Sequence, residues 1–295
     1  MNSIKYYFRN YAPLWLYKIG RTAKHLPARL KAFIFLDKQS LLVEEQYVPI
    51  SYKGTSFKIK LNPKNGFVDS ELYSNKIWEP SVTKFIYNHL KEGGVFVDVG
   101  ANIGYYSLMA AAKQGRTGKV YAFEPLPSLC KQIKNSITKN NFTSIDLFEV
   151  GCGDINGSLT IHTYPENIGK SSLQCDPGNT NATLLVPIVR LDDELAQLEH
   201  IDVLKLDIEG YEYEALKGAQ SLITRTRPII LLEVAVNRLR KETGSNEKTL
   251  NILHLLWESR YEIHTIKGDI VTDAKKFIER QTLLGSHVEL IARPH

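Results

Sequence analysis

The sequence predicts an α/β fold with a mostly parallel sheet covered by helices on both faces. Short apolar runs typical of buried strands recur along the chain, and helical segments separate most of them. The first such run, VFVDV at 95–99, leads through a glycine-containing turn into a helix. The last two runs, at 261–266 and 287–293, show no long helix between them and predict an antiparallel strand at the sheet edge.

The segment before residue 95 predicts short strands and one helix. SFKIKL alternates apolar and polar residues, as a half-buried strand does. WEPSVTKFIYNHLKEGG predicts a helix, because Pro80 suits a first turn and two glycines follow the end. We therefore expect three parts, a basic N-terminal helical arm, a leading unit of short strands and one helix, and a main domain, at residues 1–45, 46–92 and 93–295.

From Val95 onward, strands and helices alternate in the order typical of a parallel sheet. The predicted order is VFVDV, a helix near 105–113, KVYAFE, a helix near 127–139, IDLFEV, IDVLKLD, a helix from about Tyr211, PIILLEV and a helix near 246–258. In such sheets ligands bind beyond the carboxyl ends of the strands, where the strand order reverses. Candidate site residues are therefore sought at these strand ends.

The turn after the first strand has the composition of a nucleoside site. Glycines let the backbone approach a ligand closely, and the following helix presents free N–H groups. A dinucleotide turn would read G-x-G-x-x-G, whereas this turn reads D-x-G-x-N-x-G, which disfavours a nicotinamide-dependent oxidoreductase. Glu124 ends the next strand, 24 residues beyond Gly100, where a carboxylate can accept both ribose hydroxyls.

Five sequence blocks resemble, in order and spacing, the FkbM-type S-adenosylmethionine-dependent methyltransferases: VFVDVGANIGYYS, VYAFEPLP, VGCGDINGSLTI, VPIVRLDDEL and VLKLDIEGYEYEALKGA. The similarity runs from about Trp78 to Val234, and KLDIEG is its most specific part. It implies a Rossmann-like seven-stranded sheet whose last strand is inserted antiparallel. It also implies S-adenosylmethionine as cofactor and methylation of a hydroxyl, commonly on a sugar or a natural product. Gly151 departs from the alanine frequent in similar sequences.

The resemblance also implies individual cofactor-binding roles. The residues concerned are Glu79, Asp98, Gly100, Asn102, Gly104, Glu124 and Asp154. Glu124 is expected to hold the ribose diol, Asp154 to reach the adenine amino group, and Glu79 to meet the amino-acid end. Structural alternatives stay open: the glycines serve only a tight turn, Asp154 holds a turn with its neighbours, and Glu79 is an acid at a helix start.

KLDIEG places Asp207 and Glu209 at the end of the fourth strand, at the same sheet edge. The sulfonium is already reactive, so the enzyme must mainly align the attack and accept one proton. A nearby carboxylate accelerates attack by a hydroxyl roughly 10²–10⁴-fold. Enzymes that methylate amino groups of DNA bases share an N-P-P-Y type motif at this position, and this sequence has none, which favours oxygen as the methyl acceptor. We therefore predict Asp207 and Glu209 as catalytic residues; the alternative is that they only fix the loop and the cofactor.

A metal site is not predicted. Asp207, Glu233 and Asn237 resemble part of the oxygen-ligand set of magnesium-dependent O-methyltransferases, but the adjacent Asp-Asn pair of that group is missing. His254 and His264 are predicted to be packing residues of a helix and a strand rather than ligands.

Positive charge is concentrated in the arm. Residues 1–40 hold eight Lys or Arg and one acid, a net of +7, whereas the remainder holds 29 basic and 31 acidic residues, a net of −2. The main body therefore lacks the clustered basic residues that nucleic acid requires. The arm also carries an aromatic stripe at helical spacing, and two hypotheses stay open: packing on the domain or on a dimer partner, and peripheral contact with an anionic membrane.

We expect a cytoplasmic enzyme, because no apolar run of about 18 residues occurs and charges interrupt any signal-peptide core. The leading functional hypothesis is an O-methyltransferase for a hydroxyl of a sugar in a glycan or glycolipid. An O-methyltransferase of a soluble natural product, a nicotinamide-dependent oxidoreductase and a non-catalytic nucleoside-binding module are the alternatives. If the membrane hypothesis holds, the enzyme lies at the inner face of the membrane.

Overall fold

The computed structural model describes residues 45–63, 66–163, 182–236, 245–284 and 287–295. The arm up to residue 44 and Asn237 lie outside these ranges, so the predictions that concern them stay predictions. Among the helices of the described ranges, none is long and apolar enough to cross a membrane.

The described strands and helices follow one another along the chain as the sequence blocks predict, with additions. The strands are β1 (Gln46–Tyr52), β2 (Thr55–Leu61), β3 (Val95–Val99), β4 (Lys119–Phe123), β5 (Ile145–Phe148), β6 (Gly151–Cys152), β7 (Gly157–Thr163), β8 (Ala182–Val189), β9 (Val203–Leu206), β10 (Ile229–Val234), β11 (Tyr261–Thr265) and β12 (Val288–Pro294). The helices are α1 (Phe67–Asn75), α2 (Pro80–His89), α3 (Tyr105–Gln114), α4 (Pro127–Asn140), α5 (Leu191–Glu194), α6 (Glu212–Lys217), α7 (Gln220–Thr226), α8 (Glu247–Glu258) and α9 (Ala274–Leu284).

The central sheet has seven strands in the order β11-β12-β10-β9-β3-β4-β5. The neighbours from β10 to β5 pair in parallel, and β12 pairs antiparallel with both β10 and β11. The fold is thus Rossmann-like and α/β, with the last strand inserted antiparallel. From β3 the chain builds outward to β4 and β5, and then returns to β9 on the other side. The strand order therefore reverses between β3 and β9, which is where ligands bind in such sheets.

Two details of the chain end differ from the residue-based expectation. The antiparallel strand β12 lies inside the sheet, and β11 forms the edge. A helix of 11 residues, α9, stands between them, although no long helix was expected there. Its buried residues follow a helical period that its many polar residues obscure in the sequence; they are Ala274, Phe277, Ile278 and Gln281.

Two clusters of buried apolar residues cover the two faces of the sheet. One cluster packs β2, α2, α3 and α4 against one face, and the other packs α6, α7, α8 and α9 against the opposite face. The central strands are buried on both sides; in β9 all four residues are buried. This double burial explains why the strands read as continuous apolar runs rather than as alternating ones.

The leading unit contains an unpredicted helix, α1. The β1–β2 hairpin and α2 match the prediction, but α1 buries only Asp69 and Leu72 and has almost no apolar stripe. A polar tie fixes it instead, because the Asp69 carboxylate accepts hydrogen bonds from the Asn62 amide at 2.6 Å and from Gln132 Nε2 at 2.9 Å. Hydrophobic periodicity cannot reveal a helix held in this way.

A three-stranded sheet of order β6-β8-β7 lies beside the central sheet. Strand β8 pairs in parallel with β6 and antiparallel with β7. The blocks VGCGDINGSLTI and VPIVRLDDEL contribute to these strands, whose pairing was not predicted from the sequence.

Candidate functional site

A cavity of about 320 Å³ opens at the carboxyl edge of the sheet, where the strand order reverses. The turn after β3, the end of β4, the loop after β9, the three-stranded sheet and the leading unit all contribute to its walls. This volume falls within the range of small-molecule sites, about 300–1,000 Å³. Of the predicted site residues, the structure brings Glu79, Gly100, Asn102, Glu124, Asp207 and Glu209 to this cavity.

The turn after β3 requires glycine at position 100. Gly100 has a φ of 80°, and a Cβ there would lie 1.9 Å from the Asp207 carbonyl oxygen. The amides of Gly100 and Ala101 both donate to the Phe123 carbonyl oxygen at 3.0 Å, which ties the turn to β4. Asn102 follows with a φ of 54°, and its buried Oδ1 has no hydrogen-bond partner among the described residues. Gly104 begins α3 and does not line the cavity.

Glu124 has a buried carboxylate at the end of β4 that faces this turn. Its Oε2 accepts from the Asn102 amide at 2.8 Å, and its Oε1 accepts from the Leu126 amide at 3.0 Å. Burial raises the pKa of Glu124 to about 7, although these hydrogen bonds oppose the increase. A carboxylate oxygen has capacity for a second hydrogen bond. Glu124 can therefore orient the turn and still accept ligand hydroxyls.

Asp98 is fully buried and does not line the cavity. Ser107 Oγ donates to its carboxylate at 2.6 Å, and Lys205 Nζ lies 3.3 Å from it. Asp98 therefore does not contact the cavity itself. It pairs with Lys205, which lines the cavity.

Lys205 is the functional candidate that the sequence analysis missed. Its ammonium lies 3.3 Å from both the Asp98 and the Asp207 carboxylates and 3.3 Å from the Gly100 carbonyl oxygen. Burial on its own lowers the pKa of Lys205, but the Asp207, Asp98 and Glu79 carboxylates outweigh burial and raise it. The signal was present in the sequence, because a lysine inside a strand buried on both faces requires a charged partner.

Glu79 reaches the cavity from the start of α2 and has a φ of 38°. Tyr106 Oη donates a hydrogen bond to its carboxylate at 2.8 Å. Burial, followed by repulsion from Asp207, raises the pKa of Glu79 to about 7. The carboxyls of Glu79 and Asp207 therefore act on the same part of the cavity.

Asp207 follows β9 and forms a carboxyl pair with Glu233, near the end of β10. The charge of Asp207 acts on the Glu233 carboxyl, and His287 Nδ1 lies 2.5 Å from Glu233 Oε1. Burial and then the Asp207 charge raise the pKa of Glu233 to about 8, against the opposing effect of His287. With a pKa of about 8, Glu233 holds a proton near neutral pH.

Glu212 fixes the loop after β9 through hydrogen bonds to its backbone. The Oε1 atom of Glu212 accepts from the Ile208 amide at 3.1 Å and from the Gly210 amide at 3.0 Å. Between these two contacts Glu209 adopts a φ of 56° and lines the cavity. Burial raises the pKa of Glu212 to about 7.

Asp154 does not line the cavity. Its carboxylate pairs with Lys217 Nζ at 2.5 Å, and this hydrogen bond lowers the pKa of Asp154. Next to it, the Asn156 side chain accepts from the Arg190 amide and donates to Asp193. This position favours the structural alternative for Asp154, and its contact with adenine stays a prediction.

The prediction that two histidines serve packing rather than metal binding concerns His264 and His254. In the described part of the chain, no group of three or more His, Cys, Asp or Glu side chains could hold a metal ion. His264 Nε2 pairs with Glu262 along β11, and the His254 ring lies 5.9 Å from that of Trp257 on α8.

These residues fit a nucleoside that carries positive charge. Glu124 and the free Oδ1 of Asn102 suit hydroxyl or amino donors, and Gly100 allows close approach of a ligand to the turn. Glu79, Asp207 and Glu233 add carboxyl groups beside them. S-adenosylmethionine combines a ribose diol with a sulfonium and an ammonium group. The acceptor oxygens and carboxyl groups of the cavity therefore match its chemistry.

The family model of the methyltransferase FkbM domain matches residues 98–263, more than half of the chain. Methyltransferase 1 of Beauveria bassiana is 26% identical over 172 residues, which cover 52% of this chain and 66% of that protein. Methyltransferase sdnD of Sordaria araneosa is 28% identical over 182 residues, covering 50% and 70%. The hexuronic acid methyltransferase AglP of Haloferax volcanii is 24% identical over 155 residues, covering 52% and 61%. The matched region thus spans just under two thirds of the first of these relatives and of AglP.

Among solved structures, the chain is similar to the methyltransferase FkbM from Methylobacillus flagellatus. It has a TM-score of 0.43 and 18% identity, over 90% of this chain and 58% of that one. The S-adenosylmethionine-dependent O-methyltransferase from Thermotoga maritima has a TM-score of 0.44 and 14% identity, over 84% and 77%.

Proposed function

The chain belongs to the FkbM methyltransferase family and uses S-adenosylmethionine, and we propose that it transfers a methyl group to a hydroxyl of a sugar in a glycan or glycolipid. The observation that carries the choice of oxygen is the Asp207–Glu233 carboxyl pair at the cavity. A hydroxyl must lose its proton when it is methylated, and a carboxylate within reach is a suitable acceptor.

The protonation of this pair suits that task. The pKa of Glu233 is raised to about 8, so near neutral pH the pair holds a proton and still carries a negative charge. Lys205 Nζ, 3.3 Å from Asp207, stabilises that negative charge. We assign proton acceptance to Asp207, with Glu209 as the second predicted catalytic residue.

The choice of a sugar rests on the walls of the cavity and on a relative. The aromatic side chains of Phe67 and Trp78 lie beside the cavity with ring centroids 5.9 Å apart, while Glu209 and Glu233 supply polar groups. A sugar ring has apolar faces and a polar rim, which suits such a mixed wall. AglP is named as a hexuronic acid methyltransferase, and it matches 52% of this chain.

Labelling of the product tests the proposal. The enzyme is incubated with methyl-labelled S-adenosylmethionine and an extract of the source organism, and the labelled fraction is hydrolysed and analysed by mass spectrometry. We expect the label in an O-methyl sugar. A labelled small aglycone would favour a soluble natural product as acceptor, and label on an amine would contradict O-methylation. Enzyme carrying Asp207→Asn serves as the control for activity that belongs to this site.

The charge of residues 1–40 supports contact with an anionic membrane, where lipid-linked sugars would be accessible. Each Lys or Arg near such a surface contributes about 1 kcal/mol. The chain with residues 1–40 should float with anionic liposomes at low salt, and a shortened chain that begins at Leu41 should not. Equal behaviour of the two chains would favour packing of the arm and a soluble acceptor.

A further inference from the structure

A row of ionisable side chains crosses the cavity from the buried lysine to a partly exposed histidine. Lys205 Nζ lies 3.3 Å from the Asp207 carboxylate, and His287 Nδ1 lies 2.5 Å from Glu233 Oε1. Asp207 and Glu233 both line the cavity between these two contacts, and the charge of Asp207 raises the pKa of Glu233. The side chains of Lys205, Asp207, Glu233 and His287 are 4%, 28%, 22% and 49% exposed, so the lysine end is buried and the histidine end is the most exposed. The row therefore connects the interior of the site with solvent.

His287 occupies the end of this row because of the inserted strand. It directly precedes β12, and Glu233 on β10 lies opposite Glu289 on β12 in the antiparallel register. The sequence motif that carries the family resemblance ends near Val234, so this histidine lies outside it. Only the folded sheet brings His287 to the carboxyl pair.

The charged groups around Glu233 come from several elements. Strand β9 and the loop after it contribute Lys205, Asp207 and Glu209, and the start of α2 contributes Glu79. His287 directly precedes β12, and Glu289 lies on β12. Among these described groups, carboxyls outnumber the cationic side chains. One proton retained on the Asp207–Glu233 pair relieves this excess of negative charge.

We propose that His287 is a positioning residue for methyl transfer, which holds Glu233 in its pair with Asp207 and passes the released proton to solvent. The proposal rests on the proposed transfer to a hydroxyl and assigns a residue that lies beyond its catalytic carboxyls. A neutral imidazole has one N–H and one acceptor nitrogen, so it can hold a carboxyl group and exchange a proton with water.

The proton balance of the step is complete with these groups. The acceptor oxygen forms a bond to the methyl carbon, the carbon–sulfur bond breaks with its electron pair kept by sulfur, and the hydroxyl proton passes to Asp207. The pair then holds two protons instead of one. The extra proton leaves from Glu233 through the imidazole of His287 to water, and the pair returns to its starting state.

A binding measurement tests this inference without any acceptor. Above the pKa of the carboxyl pair its charge becomes more negative, which favours the cationic S-adenosylmethionine over the neutral thioether S-adenosylhomocysteine. The ratio of their dissociation constants, measured by calorimetry across pH, should therefore show an inflection near the pKa of about 8 that Glu233 has. Because His287 lowers that pKa, His287→Ala should move the inflection to higher pH, by about half to one pH unit.

Matched variants separate positioning from a structural effect. Glu233→Gln should abolish the inflection, and His264→Ala, which removes a histidine paired with Glu262 away from the cavity, should leave it unchanged. An inflection that is absent in the wild type, or that stays in place in His287→Ala, would overturn the inference. A failure to find an O-methylated product would overturn the proposed function instead, since the binding ratio does not depend on an acceptor.

Discussion

Lys205 balances the charge of the site at the level of single residues. Its ammonium lies between a fully buried carboxylate, Asp98, and the cavity carboxylate Asp207, at 3.3 Å from each. Burial alone would neutralise a lysine, yet the surrounding carboxylates raise its pKa. The lysine therefore stays charged, and its charge opposes the burial that raises the pKa of Asp98.

Lys205→Met should destabilise the fold strongly. Removal of one partner of a buried ion pair typically costs about 3–5 kcal/mol, because the remaining charge is left uncompensated. The free energy of unfolding in urea measures this loss. The double variant Lys205→Met with Asp98→Asn should recover part of it, since no buried carboxylate then lacks its partner. A single variant within about 1 kcal/mol of the wild type would contradict this account of Lys205.

Glu124→Ala should weaken cofactor binding about 10- to 100-fold. The change removes hydrogen bonds to a charged group, each worth about 1.5–3 kcal/mol, and every 1.4 kcal/mol corresponds to tenfold in affinity. It also frees the amides of Asn102 and Leu126, which Glu124 accepts from. Calorimetry with S-adenosylmethionine is the measurement, and Glu149→Ala, at an exposed carboxylate beyond β5, is the control. An unchanged dissociation constant would remove Glu124 from the site.

Asp207→Asn should lower turnover more than cofactor affinity. Asparagine keeps the size of the side chain and loses the basic oxygen, so we expect kcat to fall about 10²–10⁴-fold, with affinity changed by less than about tenfold. Glu209→Gln, made in parallel, shows which of the two carboxylates accepts the proton. If affinity collapses while saturated enzyme keeps its turnover, Asp207 is a cofactor ligand and the proton acceptor lies elsewhere.

Part of the cavity lining could be predicted from sequence, because these residues follow strand ends. The turn residues Gly100 and Asn102, together with Glu124 and Asp207, follow three neighbouring strands, and parallel strands bring their carboxyl ends to one edge. His287 could not be found in this way. It reaches the cavity because β12 inserts beside β10, a register that local sequence does not encode.

At the level of elements, the turn between β3 and α3 connects two strands and the cavity. Its amides bind the end of β4, and Gly100 lies against the backbone of Asp207 after β9. The close approach leaves no room for a side chain. The geometry of the turn and the position of Asp207 are therefore fixed together.

Gly100→Ala should disrupt cofactor binding by more than about tenfold. A Cβ at this position would meet the Asp207 carbonyl oxygen at 1.9 Å, so the turn or the loop after β9 must move. Gly115→Ala is the matched control, because Gly115 also has a positive φ, 72°, but has open space around its Cβ position. The control should lose only about 1–2 kcal/mol of stability, the cost of the left-handed backbone. Equal cofactor affinity of both variants would contradict the proposed coupling.

The elements with regular apolar patterns could be predicted, and those held by polar contacts could not. The parallel strands β3, β4, β9 and β10 and the helices after them follow their sequence blocks closely. Helix α1 is fixed by the hydrogen bonds of Asp69. The three-stranded sheet depends on the antiparallel pairing of β7 with β8. Such contacts depend on distant residues, for example Gln132, and leave no local period.

At the level of the whole molecule, the burial of several carboxyl groups gives the fold a characteristic pH dependence. Burial raises the pKa of Glu79, Glu124 and Glu212 to about 7 and that of Glu233 to about 8. These positions lie around one cavity and its supporting loop. Ionisation of these carboxyls as the pH rises therefore adds negative charge in buried positions around the cavity, which a bound cation would offset.

The free energy of unfolding of the apo protein should fall as the pH rises from about 5 to about 8. A carboxyl with a raised folded pKa binds more protons in the folded than in the unfolded state within this window, so the slope of stability against pH is negative. The pKa of Lys205 is also raised, so Lys205 changes stability only at pH values above the ordinary pKa of lysine. The pKa of Asp154 is lowered, so Asp154 changes stability only at acidic pH. Urea unfolding at constant ionic strength measures the slope. Glu212→Gln keeps an oxygen acceptor for the Ile208 and Gly210 amides but cannot ionise, so it should make the slope shallower. An increase of stability over this pH window would show that the buried carboxyls do not hold their protons.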